Sequence, residues 1–117
     1  NMMKREAYQE AEELINYVKM NFIPFFPLAS GFLTGKYKKN VIPKGSRGEW
    51  ADHMKAMFSD KYYKFIGDLG KITKRKEITL PELAISWLLY YENITSVICG
   101  VRSIEQLKTK VKRNLLH

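Results

Sequence analysis

Two short apolar segments, Phe22 to Leu28 and Thr95 to Cys99, are the strand-like stretches in a chain otherwise patterned for helices. That imbalance constrains the fold more than any other feature. A strand satisfies its backbone N–H and C=O groups by pairing, and two strands make a poor sheet because each leaves an edge that needs a neighbour. The first segment reads as a buried strand whose C-terminal end is fixed by Pro27, with Pro24 tolerable only at a strand start or where an acceptor is missing. The second is β-branched at Thr95, Val97 and Ile98 and ends at Gly100.

Between and around them the periodicity is helical. Residues 5–20 place Ala7, Ala11, Leu14, Ile15 and Val18 on one face, with Glu6, Glu10, Glu12 and Glu13 towards the N-terminal half, as the helix dipole favours. Residues 29–57 form a long irregular stretch holding Gly31, Gly35, Pro43, Gly45 and Gly48, the composition of a functional loop. Trp50 and Phe58 argue that its far end packs down. Residues 59–76 predict a second helix capped by Ser59 or Asp60, weakened by Gly67 and Gly70 unless something packs closely there. Thr79-Leu-Pro-Glu82 is a capping box with Pro81 in the tolerated first turn. It opens a helix apolar nearly all round, expected to be the most buried. Ser103-Ile-Glu-Gln106 is a second capping box, opening a basic C-terminal helix. The order helix, strand, loop, helix, helix, strand, helix argues for parallel βα units. It therefore suggests a piece of a larger α/β fold, or an oligomer that completes the sheet.

With 117 residues, one domain is expected. A formal charge of +8 favours anionic partners, but the Lys and Arg residues are spread along the chain. Their tighter groups, Lys36 to Lys39, Lys71 to Lys76 and Lys108 to Arg113, fit solvated helix faces and loops. Cys99 stands alone, so no internal disulfide and no cysteine-rich metal site is expected, in keeping with a reduced, cytoplasmic setting. No apolar run reaches the roughly 20 residues a bilayer requires. Asn1 to Glu6 lack the pattern of a secretory leader.

Four stretches, in order, resemble the aldo-keto reductase family. Pro27-Leu-Ala-Ser-Gly-Phe-Leu-Thr-Gly-Lys-Tyr37 is similar to its S-P-L-x-x-G-x-L-T-G-K-Y segment at the end of the seventh strand. Ile98-Cys-Gly-Val-Arg-Ser-Ile-Glu-Gln-Leu107 is similar to I-P-G-x-R-x-x-x-Q-L at the end of the eighth. Leu80-Pro-Glu-Leu-Ala-Ile-Ser-Trp-Leu-Leu89 resembles the A-L-x-W-x-L helix. Asn1-Met-Met-Lys-Arg5 resembles the Y-N-x-x-x-R stretch after the sixth strand. The resemblance implies an α/β fold in which residues 1–117 form the C-terminal portion of a (β/α)8 TIM barrel. This portion would have about two parallel strands and four helices and be incomplete on its own, since such barrels take about 250 residues. It implies an NADP(H)-dependent oxidoreductase acting on a small carbonyl substrate, with NAD as the other possible cofactor. The family's catalytic Asp, Tyr, Lys and His belong to the first half of that fold and match nothing here, so the chain by itself is expected to be inactive.

The resemblance also implies cofactor-binding positions. Pro27, Leu28, Ser30, Gly31 and Leu33 correspond to residues lining the pyrophosphate, where backbone amides and close glycine approach suit phosphate oxygens, and Lys36 adds a charge. Gly100, Arg102, Ser103 and Gln106 correspond to the adenosine-phosphate site, where an arginine fork fits a 2′-phosphate. Phe26 stands where the family commonly has Ser, and Lys110 where it often has Asn; Lys110 can still meet a phosphate. Taken singly, Gly31 and Gly35 are turn glycines, Arg102 a solvated arginine, and Ser103 and Gln106 a helix cap. Their joint order at two strand ends carries the functional reading. Two other readings stay open. One is a small basic nucleic-acid-binding α/β module, for which no recognition-helix or basic-aromatic pattern is present. The other is a truncated, non-catalytic subunit that self-associates through open strand edges.

Overall fold

The computed structural model describes residues 1–111. Among the described residues there are four helices, α1 (Glu6–Val18), α2 (Asp60–Lys76), α3 (Leu80–Leu89) and α4 (Ile104–Val111), with short 3-10 segments at Ala29–Thr34, Arg47–Glu49 and Asp52–Met57. The expected helices form where caps and periodicity place them. At the start of α3, the Thr79 hydroxyl accepts the Glu82 N–H at 3.3 Å, and the Glu82 carboxylate accepts the Thr79 N–H at 2.6 Å. This reciprocal pair satisfies donors that a helix start otherwise leaves open, and it gives the buried Glu82 its partner. Helix α3 buries Leu83, Ala84, Ile85 and Leu88 and packs against α2, α4 and the Ala29–Thr34 segment.

The expected α/β arrangement is overturned. Among the described residues there is no strand, only an isolated antiparallel bridge between Lys38 and Val41. The structure therefore does not show a TIM-barrel fragment with two parallel strands. Residues 22–28 run as irregular chain into a turn, with Phe26 at φ 48°. Phe22 donates its N–H to the Asn93 carbonyl at 2.7 Å, but no ladder extends from that bond among the described residues. Residues 95–99 are likewise irregular. The physical reason lies in the pairing requirement. Pro24 and Pro27 have no N–H to give, and β propensity mostly expresses packing against neighbouring strands.

The centre of the molecule instead comes from the long stretch read as a loop. Phe32, Leu33, Tyr37 and Met54 are the most deeply buried large side chains, each at most 2% exposed. Phe32 stacks on Tyr37 with ring centroids 5.8 Å apart, and Phe58 meets Tyr37 edge-on at 5.5 Å. Leu69 of α2 and Leu83, Ala84 and Ile85 of α3 close this core. Helix α1 is less well covered. Of its expected apolar face only Ile15 is buried, while Leu14 and Val18 lie exposed. Tyr8 of α1 packs edge-on against Phe22 and Tyr91 at 5.4 and 5.1 Å. Among the described residues no helix is long and apolar enough to cross a membrane, and no cluster of His, Cys, Asp and Glu could hold a metal ion.

Candidate functional site

The segment from Pro27 to Lys36 is a compact, strained turn. Phe26, Ala29 and Ser30 hold left-handed φ values of 48°, 48° and 56°, followed by Gly31 at 94° and Gly35 at 77°. L-residues other than glycine seldom adopt this region, so the turn depends on what surrounds it. Pro27, Leu28, Ser30 and Leu33 are buried. The Leu28 carbonyl accepts the N–H groups of Gly31 at 2.9 Å and of Leu33 at 3.2 Å. These two amides, expected to face phosphate, are thus engaged within the turn itself. The Thr34 hydroxyl donates to the Gly31 carbonyl at 2.7 Å. Lys36 folds back over Gly31 so closely that a Cβ built there would lie 2.8 Å from its Cε, and its ammonium sits 5.1 Å from the centre of the Tyr37 ring.

The second segment is exposed and organised by the start of α4. The Ser103 hydroxyl accepts the Gln106 N–H at 3.2 Å, and Gln106 Oε1 accepts the Arg102 N–H at 2.9 Å. The expected cap forms, with the glutamine reaching one residue further back than a reciprocal box requires. Lys110 donates its ammonium to the Gly100 carbonyl, closing this segment into a small ring of contacts. Cys99 precedes it, half-buried. Burial pushes its thiol pKa up, and the Lys110 ammonium pulls in the other direction.

The two segments are joined through the long loop. Arg102 Nη1 donates to the Gly45 carbonyl at 3.4 Å, and the Gly48 N–H donates to the Tyr37 hydroxyl at 3.1 Å. Guanidinium, loop, Tyr37 and Lys36 thus form one connected series. No hydrogen bond links the two segments directly among the described residues. Next to Gly45, the buried Ser46 hydroxyl has no hydrogen-bond partner among the described residues, a state that costs on the order of 1–3 kcal/mol unless something else supplies the bond. Sequence reasoning did not single out Ser46, Gly45 or Tyr37 as site residues. It gave His53 no role, yet His53 Nε2 lies 2.9 Å from the Ser30 hydroxyl and its ring stacks on Phe26 at 5.8 Å. No local pattern signals a contact spanning 23 residues.

Ser30 and His53 also border a cleft of about 680 Å³ walled by Tyr8, Phe22, Phe26 and Trp87. Lys4 and Arg5 stand along it, and the Arg5 guanidinium lies 5.9 Å from the centre of the Trp87 ring. Glu6, Glu10 and Glu12 line the cleft as well, so aromatic faces and charges of both signs share the wall. Aromatic faces beside polar groups suit a planar organic ligand.

Residues 1–115 match the Aldo/keto reductase family. Over 89 residues, 74% of this chain, the sequence is 35% identical to an Arabidopsis thaliana protein described as a probable voltage-gated potassium channel subunit beta. The chain spans about a quarter of that relative, 27% of its length.

Proposed function

The chain belongs to the aldo/keto reductase family, and from that premise we propose that it is the cofactor-phosphate-binding segment of an NADP(H)-dependent carbonyl reductase. When bound, the nicotinamide would exchange a hydride with a small carbonyl substrate. The residues of this chain bind and orient the dinucleotide; they supply no proton donor, since the family's catalytic Asp, Tyr, Lys and His match no position here. The observation that carries the reading is the position of Arg102. Its backbone is held by Gln106 at the start of α4, and among the described residues its side chain reaches only a weak neutral acceptor, the Gly45 carbonyl at 3.4 Å. A phosphate would be the stronger partner for a guanidinium. The Ser103 hydroxyl and the Lys110 ammonium lie on the same segment, where an anion would share them with Gln106 and the Gly100 carbonyl. The Ser46 hydroxyl next to Gly45, without a partner among the described residues, is closed off from solvent in this conformation. At the other end Ser30, Gly31 and Lys36 offer a hydroxyl, a surface without a Cβ and a charge. The pairing of the Gly31 and Leu33 amides with Leu28 means that this end relies on side chains in the present conformation. The cleft beside Ser30 gives an apolar carbonyl compound an aromatic-walled space.

Calorimetric titration of the 117-residue chain with NADP⁺ and NAD⁺ tests this. Binding of NADP⁺ in preference to NAD⁺ is expected, and Arg102→Ala should abolish the preference. Loss of one charge-assisted contact is worth about 1.5–3 kcal/mol, or roughly 10- to 100-fold in Kd. Equal binding of the two dinucleotides, or none of either, refutes the reading. Carbonyl reduction by this chain alone refutes the assignment of catalysis to residues outside it. A second reading follows from the Arabidopsis relative's description: a non-catalytic subunit that accompanies a potassium channel. Dinucleotide binding without turnover in the complete protein, together with co-purification with a channel, would favour it.

A further inference from the structure

Resting on the cofactor reading above, we propose that His53 is a positioning residue for the phosphate segment, holding the turn 26–30 in its strained shape from the far side of the long loop. One imidazole touches both ends of that turn: it stacks on Phe26, with planes 11° apart, and hydrogen-bonds the Ser30 hydroxyl at 2.9 Å. Both residues have left-handed backbones, φ 48° and 56°. Conformations of this kind persist only where the surroundings over-determine them. The Asn1 side chain adds a second tie, donating to the Phe26 carbonyl at 3.0 Å. The ring itself is fixed because its own 3-10 segment, Asp52–Met57, is anchored by the buried Met54 and Met57. Between Phe26 and Ser30 lie Pro27, Leu28 and Ala29, and the Leu28 carbonyl gathers the amides of Gly31 and Leu33. A change at residue 53 is therefore transmitted to every phosphate-facing position of the segment without His53 touching the ligand.

The test uses the full 117-residue chain, with NADPH binding followed by its fluorescence and amide hydrogen exchange read residue by residue. The variants are His53→Ala, His53→Gln, Ser30→Ala and the double substitution of Ser30 and His53 to Ala. His53→Ala should weaken NADPH binding by about tenfold. It should speed exchange at residues 28–34 by about tenfold, leaving α3 unchanged. His53→Gln, which keeps a side-chain hydrogen-bonding group, should restore part of both. In hydrogen exchange at residues 28–34 the double variant should be no faster than His53→Ala alone, because the two residues hold the turn through one bond. The affinity comparison stays with the His53 variants, since the Ser30 hydroxyl also serves the ligand. Affinity and exchange both within about twofold of wild type overturn the proposal. An affinity loss with unchanged exchange also overturns it, because the ring would then be contacting the ligand. Faster exchange with unchanged affinity does so too, because the turn would not govern binding. If the wild-type chain binds no NADPH, the cofactor reading falls and the exchange at residues 28–34 alone decides whether His53 holds the turn. If His53→Ala loses its helical circular dichroism, His53→Phe, which keeps a ring over Phe26 and removes the bond to Ser30, is measured in its place, and the same affinity and exchange outcomes support or overturn the proposal.

Discussion

The same chemical change, glycine to alanine, should have opposite consequences at Gly67 and Gly35. Gly67 lies inside α2, and a Cβ built there meets nothing within 4 Å. The close packing that would have justified a helical glycine is therefore missing. Gly67→Ala gains helix propensity and restricts the unfolded chain, stabilising the protein by about 0.5–1 kcal/mol. Gly35 ends the Ala29–Thr34 segment at φ 77°, and a Cβ there would lie 2.7 Å from Leu80 Cδ1. The left-handed backbone costs an alanine about 1–2 kcal/mol. Leu80 is half-buried and the clash is with the tip of its flexible side chain, so a rotamer shift relieves it at about 0.5–1.5 kcal/mol. Gly35→Ala should therefore destabilise by about 1.5–3.5 kcal/mol, the sum of those two penalties. Urea unfolding followed by circular dichroism at 222 nm separates the variants, and melting curves check the result, since each 1 kcal/mol moves the thermal midpoint of a chain this size by about 3–6 °C. If both variants shift in the same direction, or Gly35→Ala proves neutral, the local reasoning about backbone and space is wrong.

Two further outcomes follow from the capping and thiol geometry. Thr79→Ala removes the hydroxyl that accepts the Glu82 N–H and should cost about 1 kcal/mol in urea unfolding; a loss below about 0.3 kcal/mol would mean that the box contributes little beyond Pro81. Because burial raises the Cys99 pKa, the thiolate needed for attack is scarcer at neutral pH than in an ordinary cysteine. Iodoacetamide should therefore react slowly, with the midpoint of its pH–rate curve above that of a free thiol. Lys110→Ala should move the midpoint further up, and a midpoint below the free-thiol value would contradict the burial argument.

How much of this was legible in the sequence depends on the range of the forces involved. The starts of α3 and α4 were readable at Thr79 and Ser103 because a cap acts within four residues of itself. Helix α2 starts after Ser59 as expected, but the Ser59 side chain makes no capping hydrogen bond. The two expected strands do not form because Phe22–Leu28 and Thr95–Cys99 have strand composition but no paired neighbour among the described residues. The core position of Phe32, Leu33, Tyr37 and Met54 was hidden for a different reason. They follow neither a period of 2 nor one of 3.6, and the glycines around them signal turns. In the site, the Ser103–Gln106 arrangement was legible and formed. The engagement of the Gly31 and Leu33 amides by Leu28 was not, because it depends on the left-handed turn at Ala29 and Ser30, two residue types that ordinarily avoid it. His53 and Ser30 are 23 residues apart, and only the folded loop brings them together.

That turn ties the stability of the chain to its proposed function. Ala29 and Ser30 sit side by side at φ 48° and 56°, each strained by about 1–2 kcal/mol relative to glycine. Replacing Ala29 with Gly relieves that strain and forfeits a buried methyl worth about 0.8 kcal/mol. The net effect should be a gain of roughly 0–1 kcal/mol, with dinucleotide affinity retained. Ser30→Gly relieves the same strain but loses the His53 hydrogen bond, worth about 0.5–1.5 kcal/mol. Its stability should therefore change little while its affinity falls, since both the hydroxyl offered to phosphate and the bond that holds the turn are lost. Melting curves and NADPH titrations on the two variants separate the contributions. If Ala29→Gly lowers affinity as much as Ser30→Gly does, residual backbone stiffness and not the His53 bond is what presents the segment to phosphate.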